Sequence, residues 1–271
     1  IEQATGNIPV LQIGDNTTST RQCTWENIFF SYASAQPSTS TNANCIVFEG
    51  PGASLTTVAY GTFRRLSFEK GYYAMKLATG EVAPWGSEFD MLYMQNMSGG
   101  FVDHTGSVGG VPNNKWGRMT LYCDDATGPI FKAWSQQNST VDAIEFLRAD
   151  QGQMLIDAPS GFSTEFGSIK LELGSYDVAA NLVELGSTFF INIGDFEIKS
   201  GDFNPDSGSV VVFNVVSGTA GPESNLRINT FRGAATSLTG NCLGFFTAGT
   251  SNPRISVGNV DLQDGWELTG R

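Results

Sequence analysis

The residues of this chain that could carry chemistry are mainly carboxylates. Asp and Glu number 27 against 15 Lys and Arg, and the sequence contains one histidine, His104, directly after Asp103. One imidazole cannot act as both acid and base, so acid–base chemistry here would need two carboxylates. His104 could offer a single base, although a lone histidine is more often a solvated surface residue. Any site built on several imidazoles is excluded.

One candidate carboxylate group lies in a turn. Asp125 and Asp150 each follow an apolar residue, Trp116 and Val141, by nine positions, and Asp124 is adjacent. Carboxylates placed so close together share a proton, bind a cation or point apart into water. Glycines nearby favour the plain turn, but all three interpretations stay open. No cysteine spacing matches a metal-ligand motif, and we expect neither a resident metal nor a cofactor.

The elements that must position these carboxylates follow from a repeat. An apolar-x-x-apolar-x-apolar pattern recurs at Trp25-Ile28-Phe30, Phe63-Leu66-Phe68, Phe89-Leu92-Met94, Trp116-Met119-Leu121, Val141-Ile144-Phe146, Phe166-Ile169-Leu171, Ile193-Phe196-Ile198, Val257-Val260-Leu262 and, more loosely, Ile228-Phe231. The first residues are separated by 38, 26, 27, 25, 25, 27, 35 and 29 positions. A rhythm this regular indicates structural repeats.

A second apolar cluster follows most of these hits. The clusters are YYAMKL (72–77), GGFVDH (99–104), PIFKAW (129–134), QMLIDA (153–158), ANLVEL (180–185) and SVVVFNV (209–215). Each repeat therefore holds two strands, and the two-residue gap in the first pattern fits a short bend. The period and the absence of helical signatures favour a right-handed parallel β-helix. The sequence predicts an all-β solenoid of about nine coils in one domain, residues 1–271.

Stacking the coils turns sequence positions into outward columns. One column holds Tyr93, Thr120, Glu145, Lys170 and Glu197, and the next holds Glu69, Gln95, Tyr122, Leu147, Glu172 and Lys199. Glu145 and Glu197 would lie roughly 9–10 Å apart, near the upper limit for an acid–base pair that acts through a water. Glu172 would lie diagonally between them. The alternative is a solvated sheet face of alternating charges.

Five residues are candidates for binding a sugar. Trp85 stands in an Ala-Pro-Trp-Gly loop, where its ring either stacks on a pyranose or plugs the flank of the rod. Tyr93 and Tyr122 would act as aromatic platforms above the carboxylates. Lys170 and Lys199 would hold an acidic sugar against a strongly negative chain.

Composition argues against several partners. A net charge of −12 leaves no basic face for nucleic acid. No apolar run approaches the roughly 18 residues of a membrane span, so we expect no membrane insertion. The four cysteines, Cys23, Cys45, Cys123 and Cys242, form no CxxC motif, and we expect free, mostly buried thiols.

The coil patterns W-x-N-I-x-F (25–30) and F-x-x-L-x-F (63–68) resemble those of the pectate-lyase-like superfamily. The acidic, Phe- and Gly-rich coils are most similar to the central rod of bacteriophage tailspikes and tail fibres, over about residues 8–268. The resemblance implies a homotrimer on the virion that binds host surface polysaccharide, either capsule or O-antigen, and in many members cleaves it. It also implies that this chain is a central fragment without the virion-attachment and C-terminal trimerisation domains.

No enzyme motif of the superfamily carries over. Asp124-Asp125 matches the Asp-Asp of polygalacturonases, but their Gly-His-Gly and Arg-Ile-Lys motifs and the Trp-Ile-Asp-His of pectate lyases are absent. Three functions stay open: a glycan-recognising tailspike rod with or without depolymerase activity, a structural or adhesive trimeric fibre, and a secreted bacterial polysaccharide lyase or hydrolase. The open ends of a solenoid need covering, which favours a parallel homotrimer.

Overall fold

The computed structural model of the 271-residue chain describes residues 1–3, 6–14, 20–49, 58–78, 84–106, 111–150, 152–203, 210–216, 223–233, 237–238, 243–248 and 253–262. Within these ranges the regular elements are all β-strands, which confirms the all-β prediction. In chain order they are β1 (Glu2–Gln3), β2 (Leu11–Ile13), β3 (Thr20–Arg21), β4 (Thr24–Tyr32), β5 (Ile46–Phe48), β6 (Val58–Ala59), β7 (Thr62–Glu69), β8 (Tyr73–Leu77), β9 (Glu88–Gln95), β10 (Gly100–Asp103), β11 (Val111–Pro112), β12 (Lys115–Tyr122), β13 (Phe131–Lys132), β14 (Gln136–Gln137), β15 (Ser139–Leu147), β16 (Ile156–Tyr176), β17 (Ala180–Phe203), β18 (Val210–Val215), β19 (Asn225–Gly233), β20 (Ser237–Leu238), β21 (Leu243–Ala248) and β22 (Arg254–Leu262).

Two parallel ladders run along the molecule. The first joins β4, β7, β9, β12, β15, β16, β17, β19 and β22. The second joins β2, β5, β8, β10, β13, β16, β17, β18 and β21. Short pairings of β3 with β6 and of β11 with β14, together with a bridge from Ala59 to Trp85, form a third side. The chain is therefore a parallel β-helix, as predicted.

The solenoid has about seven turns, slightly fewer than the nine coils expected from the sequence. Nine strands do stack in each ladder. However, β2, β21 and β22 each pair with a described strand on one side only, and β4 has only the two-residue strand β1 on its outer side. The repeat pattern therefore counts the terminal coils as well as those enclosed between two neighbours.

The predicted register holds along the first ladder, because each repeat lies directly on the next from Trp25 to Val257. One inward row consists of Phe68, Met94, Leu121, Phe146 and Leu171, none more than 1% exposed. The rings of Phe63 and Phe89 stack at 4.8 Å, and those of Phe89 and Trp116 at 4.1 Å, both nearly parallel. Similar side chains at equivalent positions of successive coils thus stack on one another along the axis.

The two-residue gap inside each repeat forms a local bend. In the first three coils its second residue adopts the left-handed conformation, with φ of 57° at Asn27 and 52° at Arg65 and Met91. In later coils glycine often takes the first gap position. A Cβ at Gly167 would lie 2.4 Å from a carbonyl oxygen of the preceding coil, so the coils approach too closely there for a side chain.

A corner forms three residues before each of the first five repeats. The corner residues Gln22, Tyr60, Gly86, Asn113 and Asn138 all have φ between 49° and 58°. Glycine and asparagine tolerate this region better than other residue types. The same position in the next two coils is Ser163 and Phe190, which lie inside the long strands β16 and β17. The sharp corner therefore ends at Asn138, and the cross-section of the rod changes after it.

A buried polar row satisfies backbone groups beside this corner. The Oγ of Ser87 accepts a hydrogen bond from the N–H of Gly61 at 3.1 Å, and the Oδ1 of Asn114 accepts from the N–H of Ser87 at 2.8 Å. The Oγ of Ser139 accepts in the same way from the N–H of Asn114 at 3.1 Å. These side chains thus replace backbone–backbone hydrogen bonds that the corner interrupts. A replacement is needed because a buried N–H group requires an acceptor.

The inward register predicts very different costs at two neighbouring positions. Phe146→Asp places a carboxylate between the apolar side chains of the coils on either side, and should lower the free energy of unfolding by at least about 4 kcal/mol. Glu145→Gln, on the outer face, should change it by less than about 0.5 kcal/mol. Chemical denaturation followed by circular dichroism measures both. Equal losses would contradict the register.

Candidate functional site

The first outward column has the predicted composition. Register pairing places Glu145 beside Lys170, Lys170 beside Glu197, Glu197 beside Arg232 and Arg232 beside Asp261. The Lys170 ammonium lies 4.0 Å from the Glu197 carboxylate. The signs alternate along this row, and Lys170 occupies the place between Glu145 and Glu197 where a water or sugar would have to fit. This geometry suits electrostatic pairing across the strands better than acid–base work.

The second outward column is interrupted by a bulge. Register shifts after Leu171, so Glu172 pairs with Ser200 and not with Lys199. The Lys199 ammonium nevertheless contacts the Glu172 carboxylate. That hydrogen bond is the main reason why the pKa of Lys199 is raised, and the charges of Glu145 and Glu197 add to it. The three glutamates and two lysines are therefore brought together as predicted, but as mutually compensating charges.

Tyr93 and Tyr122 lie next to each other above these carboxylates. Their ring centroids are 5.7 Å apart, and the Tyr93 hydroxyl donates to Oε1 of Gln95 at 2.9 Å. The guanidinium of Arg148 lies 5.5 Å from the Tyr122 ring centroid and covers one of its faces. Both tyrosines are half-buried, so they offer less open ring surface than the sequence suggested.

The three aspartates of the turn, Asp124, Asp125 and Asp150, have different surroundings. Asp124 forms an ion pair with Arg148 at 3.6 Å. Burial raises the pKa of Asp150, and the charge of Asp124 raises it further, while Asp125 is exposed. Among the described residues, no group of three or more His, Cys, Asp or Glu side chains is arranged to hold a metal ion.

Trp85 forms part of an aromatic pair on the third side of the rod. Its backbone bridges to Ala59, and its ring lies 5.3 Å from that of Tyr60, tilted by 50°. Trp85 is half-buried, while Tyr60 is 52% exposed. Trp85 thus belongs to an aromatic pair whose more exposed ring is Tyr60, a residue that was not identified from the sequence.

His104 is not the solvated residue that the sequence suggested. It is 5% exposed, its ring stacks on Trp134 at 5.3 Å, and its Nδ1 has no hydrogen-bond partner. Burial lowers the pKa of His104 to about 3, despite the opposing charge of Asp103. Strand alternation from the inward residue Val102 explains the position, because every second side chain points to the core.

Three of the cysteines behave as expected. Cys45 and Cys123 are buried and Cys23 is half-buried, all as free thiols, and burial raises the pKa of each. Cys242 lies outside the described residues.

An open groove of about 490 Å³ lies over the start of the first-ladder strands β15, β16, β17 and β19, where the sharp corners end. Its lining includes Asn138, Thr140, Thr164, Glu165, Phe190 and Asn192, with Arg227 at one end. Phe190 is 46% exposed, a large apolar ring among amides, hydroxyls and charges. This groove was not predicted from the sequence, because the coils were aligned with one another only from the first residue of each repeat onward. The groove is lined by the three positions that precede that residue.

The polar groups of the groove have unused hydrogen-bonding capacity. Thr164 is 2% exposed, yet its Oγ1 has no partner, and the buried Oδ1 of Asn192 has none either. Glu165, Asn192 and Arg227 are successive in register. Within the described part of the chain no ion pair involves Glu165 or Arg227, so both charges stay available. Buried polar atoms without partners are costly unless a ligand or water satisfies them.

The second ladder carries a pair of carboxylates on its outer face. Asp157 lies between Lys132 and Glu184, and Ala133 donates its N–H to Oδ2 of Asp157 at 3.2 Å. Burial is the main cause that raises the pKa of Asp157, and the charge of Glu184 adds to it. Glu184 accepts a hydrogen bond from Nδ2 of Asn181 at 3.0 Å. Neighbouring strands lie about 4.8 Å apart, close to the separation of carboxylates in a retaining pair.

Comparison of the chain with protein-family models, with curated proteins and with solved structures finds no match. The parallel β-helix itself is consistent with the pectate-lyase-like fold. Among the described residues no helix is long and apolar enough to cross a membrane. The surface residues of the rod therefore supply the chemical basis for a proposed function.

The single histidine makes its burial directly testable. The unfolded chain binds a proton near pH 6.5 and the folded chain only near pH 3, so stability should fall as the pH drops through this window. His104→Phe keeps a ring against Trp134 and removes the proton, so its melting temperature should depend less on pH there. In an NMR titration the imidazole of the folded protein should stay neutral down to about pH 4. A midpoint near pH 6.5 would contradict the buried position.

Proposed function

We propose that this chain is the glycan-recognising rod of a bacteriophage tailspike or tail fibre, and that it binds a host surface polysaccharide, capsule or O-antigen. The observation that carries the proposal is the open groove with an exposed Phe190, surrounded by amide, hydroxyl and charged side chains. Saccharide sites combine these features, because a sugar presents an apolar C–H face and many hydroxyls.

Each part of the groove has a distinct role in this proposal. Phe190 stacks on one sugar ring, whose C–H face covers the exposed apolar surface. Asn138 and Thr140, both exposed in the groove, exchange hydrogen bonds with sugar hydroxyl groups. Arg227 meets an anionic substituent, since no carboxylate of the described residues neutralises it.

Cleavage of the bound polysaccharide is a second candidate function, favoured by the raised pKa of Asp157 beside Glu184. A raised pKa favours the protonated carboxyl group, which can act as the acid, while the neighbouring carboxylate acts as nucleophile or base. The face with Glu145, Glu172 and Glu197 is the competing location. There, lysines compensate the glutamates' charges.

The proposal includes a parallel homotrimer on the virion. Val260 of β22 takes an inward position in the repeat and is nevertheless 40% exposed, a surface that a neighbouring chain or domain would cover. A purely adhesive fibre and a secreted polysaccharide lyase or hydrolase are the alternatives. An adhesive fibre would bind without cleaving, and a secreted enzyme would cleave as a monomer.

Binding is tested with a panel of purified capsular and O-antigen polysaccharides in isothermal calorimetry. Phe190→Asn should weaken binding of the positive polymer at least about tenfold, since it removes the stacking surface. Asn225 holds this position in the next coil, so the fold accepts asparagine there. Phe29→Asn is the matched control, because Phe29 is 48% exposed on a different face. An equal loss in both variants, or no binding by any polymer, would refute the proposal.

Cleavage is tested by the release of reducing ends and of unsaturated products from the same polymer. Asp157→Asn preserves the shape of the side chain and its acceptor for Ala133, but cannot deliver a proton. It should reduce turnover at least about a hundredfold while binding is retained. Loss of turnover in Glu145→Gln with an active Asp157→Asn would instead locate the chemistry on the charged face. Absence of turnover in the unmodified protein would favour the adhesive fibre.

A further inference from the structure

One ion pair on the outer face of the second ladder differs from the others. Asp103 of β10 and Lys132 of β13 lie opposite each other in register, and the Lys132 ammonium is 3.6 Å from Oδ2 of Asp103. The side chain of Asp103 is 3% exposed, whereas the carboxylates of the other ion pairs in the described ranges are 14% to 39% exposed. Asp103 is therefore a buried carboxylate with a lysine amine against it.

The two oxygens of the Asp103 carboxylate have different partners. Oδ1 accepts hydrogen bonds from the backbone N–H of Thr105 at 2.9 Å and from the Thr105 hydroxyl at 2.6 Å. Oδ2 is the oxygen that pairs with Lys132. Two donors on one oxygen stabilise the negative charge that forms there when a nucleophile adds to the carboxyl carbon. This arrangement suits attack on Asp103 by an amine.

A second carboxyl group lies on the other side of Lys132. Asp157 occupies the next coil of the same outer column, and Ala133 donates its N–H to Oδ2 of Asp157 at 3.2 Å. Burial raises the pKa of Asp157, and the positive charge of Lys132 opposes that rise. Lys132 thus lies between a carboxyl carbon that can be attacked and a carboxyl group that can carry a proton.

We propose that Lys132 and Asp103 condense to an intramolecular isopeptide bond, with Asp157 as the proton carrier. Lys132 first passes one proton to Oδ2 of Asp103, so that an amine faces a carboxylic acid. Nζ then attacks Cγ, and negative charge forms on Oδ1 beside the two Thr105 donors. Asp157 carries a second proton from Nζ to the Oδ2 hydroxyl group, which leaves as water.

The reaction balances without any further reactant. An ammonium and a carboxylate contain the same atoms, and the same total charge, as an amide and one water molecule. The burial of Asp103 favours the amide, because condensation removes two charges from a poorly solvated place.

The bond ties two coils together where the second ladder is thin. β10 has four residues and β13 only two, so few backbone hydrogen bonds join these coils. A covalent link restricts the unfolded chain, as a disulfide does, and so increases resistance to unfolding. The bond forms whether or not the rod binds a glycan, and it therefore adds to the proposed function without resting on it.

Mass spectrometry of the purified, unmodified protein tests the bond. Its intact mass should be lower than the sequence mass by one water molecule. A tryptic digest should contain residues 77–115 linked to residues 119–148, because trypsin cannot cleave after an acylated Lys132. Fragmentation should locate the link at Asp103 and Lys132. An intact mass equal to that of the sequence, with both peptides free, would refute the proposal.

Lys132→Arg is the matched variant, because arginine keeps the positive charge and its guanidinium stays protonated. This variant should have its full sequence mass and give separate peptides. Asp157→Asn should lower the linked fraction at a fixed time after cell-free synthesis at least about tenfold, because an amide cannot carry the proton. An equal linked fraction would refute the role of Asp157 while the bond itself stands.

The Lys170–Glu197 pair is an internal control in the same digest. Its charged groups lie 4.0 Å apart, but the carboxylate is 23% exposed, so the pair should stay unlinked. A link between Lys170 and Glu197 would contradict the requirement for a buried carboxylate.

Discussion

Parallel stacking of each coil on the next, at about 4.8 Å, is the constraint on which the rest of this structure depends. An inward side chain is covered only by the same position above and below and by the opposite ladder. Phe63, Phe89 and Trp116 meet this demand by stacking nearly parallel rings. The same spacing forces outward residues into rows, where like charges would repel. Glu145 beside Lys170 is the direct consequence, and it explains charge alternation without any catalytic role.

Function is then expected where stacking departs from regularity. Up to Asn138 each coil turns through a left-handed corner residue, whereas β16 and β17 pass the same point in extended conformation. The polar row that satisfies backbone groups beside the corner ends at Thr164, whose hydroxyl has no partner. A groove opens at this transition. The change of corner geometry and the unpartnered hydroxyl of Thr164 thus occur at the same point of the rod.

Much of the fold could be predicted from the sequence, because inward size and spacing determine the register of the first ladder. The same reasoning placed Glu145 and Glu197 in one row correctly. It placed Lys199 in register with Glu172, which is wrong, since no sequence signal marked the bulge after Leu171. The burial of His104 was not predicted, because the alternation of inward and outward side chains was not extended to the residue that follows β10 in the second ladder. The groove was missed because its lining precedes each repeat, where residue types follow backbone conformation and not hydrophobic pattern.

Hydrogen–deuterium exchange with and without a bound polysaccharide distinguishes glycan binding in the groove around Phe190 from binding on the charged face around Glu145. If the glycan binds in the groove, it should protect the amides of residues 136–141, 162–166, 189–193 and 225–228, which flank the groove. Residues 118–122, 143–147 and 168–172, under the charged face, should exchange as in the free protein. Protection confined to these latter segments would place the glycan on the charged face and contradict binding in the groove.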